Sequence, residues 1–267
     1  MKIVILNQKG GVGKSTVTVN LGYGLATAGK KTLVVDLDPQ AHSTVIYTAE
    51  VPRDNTVNEL FQDRKFDIRQ AVRPAMVWRE RDGEDRLETV EHLSLIPANI
   101  HLAASSERII SRTHREKIFH NHIRKIETAY DFLLVDCPPT LGVLTVNAIY
   151  TADLVLIPTN YSKYSLDGIS DLFASIAEVK ESNQYRYRIL RNSKDTRNTR
   201  TNEAIEGLLS DFTENLFSTV IRRSEAINQA QMQNQPIFVY DPRSIGAADF
   251  TALTKEMVEY GQEKTGR

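Results

Sequence analysis

Cysteine is almost absent: Cys137 is the single one in 267 residues. One thiol cannot close an internal disulfide framework or form a CxxC pair, and such usage fits a reducing cytoplasm. The chain also has no excess of charge of either sign, with 33 Lys and Arg against 34 Asp and Glu. No global basic field recruits nucleic acid, so any such binding has to come from a local patch. Nor does any apolar run reach the roughly 18 residues of a membrane span. Where a secretion signal would have its hydrophobic stretch, residues 1–30 carry phosphate-loop chemistry, which makes a soluble, cytoplasmic chain the expectation. Internal repeats and low-complexity linkers are missing too. With 41% apolar residues, a single domain over residues 1–267 is the default for this length.

What is present is concentrated first in Asn7-Gln8-Lys9-Gly10-Gly11-Val12-Gly13-Lys14-Ser15-Thr16. This stretch follows an apolar run, residues 3–6, and opens onto helical spacing. Residues without a Cβ can take positive φ, so successive backbone N–H groups can turn inward around an anion. The helix behind presents its free N–H groups and positive dipole end to the same anion. Lys14 is the point charge for β- and γ-phosphates, and Ser15 carries the hydroxyl suited to Mg²⁺. The common phosphate-loop pattern asks for glycine where Gln8 stands, and this chain has a second lysine, Lys9, beside it.

Two further acids end apolar runs. Residues 32–35 read as a strand buried on both faces and deliver Asp36-Leu37-Asp38-Pro39-Gln40 at its carboxyl end, the edge where open α/β sheets collect ligands. Residues 132–136 form a second such strand ending in Asp136, a carboxylate placed to hold Mg²⁺ directly or through water. Cys137-Pro138-Pro139 follows, and its prolines forbid helix there.

Lys9-Gly10-Gly11-Val12-Gly13-Lys14-Ser15-Thr16 matches the deviant phosphate loop of the ParA/MinD family of ATPases, and the chain resembles the ParA/Soj branch from its first strand to its last helix. The resemblance implies a mostly parallel, doubly wound α/β sheet with helices on both faces, and Mg²⁺-dependent hydrolysis of ATP. It implies nucleotide contacts from Gly10, Gly11, Val12, Gly13, Lys14, Ser15 and Thr16, and metal contacts from Ser15, Asp38 and Asp136. Asp38, in switch I, would position or activate the attacking water, residues 136–139 would be switch II, and Lys9 would reach the nucleotide of a partner subunit in an ATP-bound homodimer. Asn192 and Pro242, the latter within Tyr240-Asp241-Pro242-Arg243-Ser244-Ile245-Gly246-Ala247, would lie at the adenine. Arg222, Arg223, Arg197 and Arg200 would contact DNA without sequence preference. A ParB-like partner, or an adaptor for a protein cargo, would stimulate hydrolysis, and the protein would associate with the nucleoid.

The remaining segments set further expectations. Helical spacing puts Val17, Leu21, Leu25 and Ala28 on one side of the helix behind the loop, closed by Gly29. Short helical patterns cover residues 57–61 and 68–72, and strands are expected over 93–97, 153–157 and 188–191. Around Asp82-Gly83, residues 77–87 suit a tight hairpin or a loose loop, and residues 75–92 read as a solvated insertion. A long polar helical region is expected over residues 100–128; its His114, His120 and His122 lack the i, i+4 spacing of a metal pair and read as surface histidines. A helix follows over 166–179, and residues 192–200 read as a basic, polar loop. The last helix, residues 245–263, should pack Phe250, Leu253 and Met257 on the sheet.

Three related readings are separated by particular residues. From Leu253 onward, Lys255 and Lys264 are outnumbered by Glu256, Glu259 and Glu263, so the basic face of a MinD-like lipid helix is missing. A metal-cluster carrier of this fold needs at least paired cysteines. An ATPase positioning a protein cargo would share every motif above. The phosphate loop begins at residue 7, so no added N-terminal helix-turn-helix domain is expected.

Overall fold

Uninterrupted apolar runs become the inner strands, because a central parallel strand buries both of its faces. In β1 (Lys2–Ile5), Val4 faces one core and Ile3 and Ile5 the other. β2 (Thr32–Asp36) and β5 (Phe132–Asp136) are buried at every position. The computed structural model describes residues 1–162 and 168–265. With β3 (Arg73–Arg81), β4 (Glu84–Ile96), β6 (Leu154–Asn160), β7 (Tyr187–Lys194) and β8 (Leu216–Arg222), these strands form one sheet in the order β3-β4-β2-β5-β1-β6-β7-β8. Only the β3–β4 pairing is antiparallel.

Helices cover both faces. One is packed by α1 (Lys14–Thr27), α2 (His42–Tyr47), α9 (Glu225–Met232), α10 (Ile237–Tyr240) and α11 (Ile245–Thr265). The other is packed by α3 (Val57–Gln62), α4 (His101–Arg108), α5 (Ile118–Ile123), α6 (Val143–Thr151), α7 (Ile169–Lys180) and α8 (Thr199–Leu208). Phe250, Leu253 and Met257 of α11 are fully buried on the first face, as expected. This is the doubly wound architecture the sequence implied.

Of the hairpin and the loop expected around Asp82-Gly83, the structure has the hairpin: residues 75–92 belong to a two-stranded antiparallel pair that continues the sheet. Asp82 and Gly83 take φ 56° and 79°, the mirror-image turn that matches strand twist, and Arg79 donates to the Tyr23 hydroxyl of α1, fastening the hairpin down. Other local expectations are corrected. The region 100–128 is broken into α4, α5 and two single 3₁₀ turns. Asn147 of α6 fixes the start of α5: its Oδ1 accepts from Phe119 N at 3.0 Å and its Nδ2 donates to Arg115 O at 2.7 Å. His122 is buried, with burial lowering its pKa, whereas His114 and His120 reach solvent. Ala28 is exposed past the end of α1, which is otherwise buried around most of its girth. Residues 192–200 are not one loop: β7 runs to Lys194, which pairs with Arg222 of β8, and α8 begins at Thr199. Leu166, the expected start of the helix over 166–179, and the Lys264 side chain lie outside the described residues.

Candidate nucleotide site

The loop from β1 into α1 is a concave run of backbone. Gly11 and Gly13 take φ 73° and 89°, conformations that a Cβ strains. Gly13 also faces Asn192, whose amide would collide with any Cβ placed there. Asn192 Nδ2 donates to Val12 O at 2.7 Å, so the tip of β7 holds the loop from the side. From below, Asn7 Oδ1 accepts from Lys9 N and Asn7 Nδ2 donates to Pro158 O, both at 2.9 Å.

The two lysines are placed differently. Lys14 is 8% exposed, and its Nζ reaches back over the loop to Lys9 O at 3.2 Å. Burial lowers its pKa, opposed by the field of Asp136. Lys9 is half-buried at the outer side of the loop, its Nζ donating to Ser162 Oγ at 2.9 Å.

Three acids approach from β2 and β5. Asp36 and Asp136 are register partners on adjacent strands and are both fully buried. Desolvation, and then the neighbouring Asp136 charge, push Asp36 well above the usual carboxylate range. Asp36 organises the segment after β2: its Oδ1 accepts from Asp38 N, and its Oδ2 from Thr44 N and Thr44 Oγ1. Desolvation pushes Asp136 up to about 6, against the hydroxyls of Ser43 and Ser15. Ser43 Oγ donates to Asp136 Oδ2 at 2.6 Å, while Oδ1 has no hydrogen-bond partner among the described residues. A buried carboxylate oxygen without a donor is costly unless something cationic or protic completes it. Asp38 is 7% exposed and lines the cleft, its Oδ1 accepting from Gln40 N at 2.9 Å.

These groups open onto a cleft of about 600 Å³. Gly10, Gly11, Gly13, Lys14, Ser15, Thr16, Asp38 and Asn192 of the expected site line it. Val12 is buried beneath the loop and gives the carbonyl that Asn192 holds, and Asp136 lies behind Ser15 and Ser43. Pro242 does not line the cleft; it is exposed between α10 and α11. The far wall is α9, through Asn228 and Gln231, with Asn234 just beyond its end, and Gln231 donates to the Thr16 hydroxyl. Sequence reasoning missed these amides and also His42, which lines the cleft beside Gln40. The signal available was the run of Asn and Gln from 228 to 235. Arg222 and Arg223 stand at the cleft margin, whereas Arg197 lies on the connection into α8 and Arg200 in its first turn, both exposed.

A glycine loop between a central parallel strand and a helix, with a buried lysine in the loop and acids on the tips of the two neighbouring strands, defines a P-loop nucleotide-binding protein. A family model described as an AAA domain matches residues 1–189. The sporulation initiation inhibitor protein Soj of Bacillus subtilis is 35% identical over 264 residues, covering 97% of this chain and 98% of Soj. The chromosome partitioning protein ParA of Myxococcus xanthus is 30% identical, covering 99% of this chain and 90% of that protein. The chain belongs to the ParA/Soj branch of the ParA/MinD family of P-loop ATPases. Its fold superposes on cobyrinic acid a,c-diamide synthase of Mycobacterium smegmatis, solved with an ATP analogue and magnesium, with a TM-score of 0.78 at 24% identity over 100% of this chain and 96% of that one.

Proposed function

We propose that this chain is a Mg²⁺-dependent ATPase that dimerises around ATP, binds DNA non-specifically in that state, and partitions or positions a plasmid or chromosome through a ParB-like partner. The observation that carries the reading is one cleft holding the Lys14 loop, Asp38 and the incompletely satisfied Asp136, with Arg222 and Arg223 on its margin. The residues fit the magnesium that the solved synthase holds: Mg²⁺ binds through one or two carboxylates and keeps several waters, and Asp136 Oδ1 is a buried acceptor with no donor. Ser15 and Asp136 would hold the ion, with Asp38 beside them, and bound Mg²⁺ would neutralise charge on the phosphoryl oxygens.

The chain's own groups supply the rest. The loop amides and Lys14 bind and orient phosphates, and the low dielectric around a lysine 8% exposed strengthens that contact. Asp38, fixed through its own N–H by Asp36, orients the attacking water. Lys9, at the loop's outer side, acts across the dimer. Asn192 anchors the loop at the nucleotide, and Pro242 comes to the adenine only if the segment between α10 and α11 closes over the cleft. Arg197, Arg200, Arg222 and Arg223 provide the DNA contact, and nucleoid association follows from it.

A ParA-type ATPase that positions a protein cargo would use the same site and the same DNA surface; gene neighbours separate the two. The MinD-like alternative is disfavoured by Glu256 and Glu259 on α11. Co-sedimentation with DNA in ATP, in ADP and without nucleotide tests the reading: binding should require ATP. Replacing Arg222 and Arg223 with Glu should abolish it and leave basal ATP turnover near normal. Wild-type affinity in that variant, or a preference of wild type for anionic liposomes over DNA, would overturn the DNA assignment.

A further inference from the structure

Three of the four arginines assigned to DNA do not stand free. Arg222 gives Nε to both oxygens of Asp249, at 3.1 and 3.0 Å, and Nη2 to Oδ1 at 2.5 Å. The same carboxylate accepts from Arg222 N at 2.8 Å, and Asp249, on α11, is 7% exposed. Arg197 gives Nε and Nη2 to Asp195 at 3.0 and 2.9 Å, and Arg223 Nη1 lies 3.9 Å from the same acid. Among the described residues Arg200 makes no ion pair, so three of the four arginines share two carboxylates.

We propose that Asp195 and Asp249 are built-in counter-charges that keep one subunit's arginine cluster too weakly basic to bind DNA alone, and so make the DNA contact depend on dimerisation. This rests on the DNA reading above.

The physical argument concerns what a phosphate gains by arriving. Neutralising a DNA phosphate releases condensed counterions, and log affinity falls with log salt at about −0.9 per phosphate neutralised. Four unopposed arginines would give a slope of about −3.6. Two carboxylates leave a net of two charges, or about −1.8, because a phosphate that displaces a carboxylate exchanges one anion for another. Two subunits restore about −3.6. Asp195 stays ionised throughout the physiological range, because the Arg197 side chain and N–H hold it down to about 2.

The cluster also borders the nucleotide cleft. Arg223 N donates to Lys194 O at 2.9 Å, and two residues earlier on β7 Asn192 holds the loop carbonyl of Val12. One strand end therefore carries both the phosphate loop and the arginine segment.

The test uses Asp195→Asn and Asp249→Asn, singly and together, in the full chain. Asparagine keeps an acceptor for the Arg197 and Arg222 N–H groups, so the local turns can persist. Asp195 lies outside the core and serves as the variant least prone to misfold. Binding to a fluorescent duplex is titrated with salt in nucleotide-free protein and in ATP-bound wild type. The expected result is nucleotide-free binding strengthened by about fivefold in Asp195→Asn, the upper end for a surface ion pair, and by more in the double variant. In the double variant the slope should steepen toward that of ATP-bound wild type, with basal ATP turnover unchanged. Nucleotide-free binding that stays at the wild-type level or weakens, while wild type with ATP binds DNA, overturns the counter-charge proposal and leaves the DNA reading intact. Wild type that fails to bind DNA even with ATP overturns both.

Discussion

Asp136 shows how a buried carboxylate is held at the expense of stability. Burial sets its pKa at about 6, against 3.8 for an ordinary aspartate. Between those values the folded protein keeps a proton that the unfolded chain has lost, so stability falls as pH rises through this window, by about 3 kcal/mol at most from this group. Asp36 is raised as well and acts in the same direction. In EDTA, Asp136→Asn should therefore melt higher than wild type at pH 7.5, and the difference should shrink toward pH 4. The same variant should lose Mg²⁺-dependent turnover. Equal melting curves at both pH values would refute this account of Asp136. Gly13 presents the opposite situation, a site where one methyl group is not tolerated. Gly13→Ala combines a φ of 89° with a collision against Asn192, and should cost about 1–2 kcal/mol together with most of the nucleotide affinity. Isothermal titration with a non-hydrolysable ATP analogue reads that loss.

At the scale of elements, the β3–β4 hairpin separates stability from chemistry. Its turn needs positive φ at Asp82 and Gly83, and none of its residues lines the nucleotide cleft. Gly83→Val should lower stability by about 1–2 kcal/mol in urea denaturation while nucleotide affinity stays at the wild-type value. A change in affinity would show that the hairpin is coupled to the site through the Arg79–Tyr23 contact on α1. The Asp82-Gly83 pair announced a turn, but whether the flanking residues would pair depended on β4 continuing into the strand beside β2. The start of α5 was hidden for a related reason: the side chain that satisfies Phe119 N and Arg115 O there is Asn147, far along the chain.

For the whole molecule, the assembly prediction centres on Lys9. It lies at the outer side of the loop, while Lys14 occupies the buried position. Lys9→Ala should bind ATP as a monomer and lose both dimerisation and stimulated turnover. Light scattering that still shows a full ATP-dependent dimer, with normal hydrolysis, would remove Lys9 from that role. Arg222 and Arg223 belong to this scale too: on the proposed function, a chain with a net charge of -1 would bind a polyanion only where local charge is gathered and counted over two subunits.

The sequence by itself determined the phosphate loop, the two acid-tipped strands and the alternation of strand and helix. Each is a local property: glycines permit the positive φ of their own residues, and a continuous apolar run announces its own burial. Tertiary structure decided everything that joins distant segments. Asn192 meets Val12, and Gln231 meets Thr16, across more than 170 residues. Asp249 takes the charge of Arg222 because α11 packs on β8. Composition records the charge of each residue, whereas its surroundings in the fold decide whether that charge is buried, paired or available.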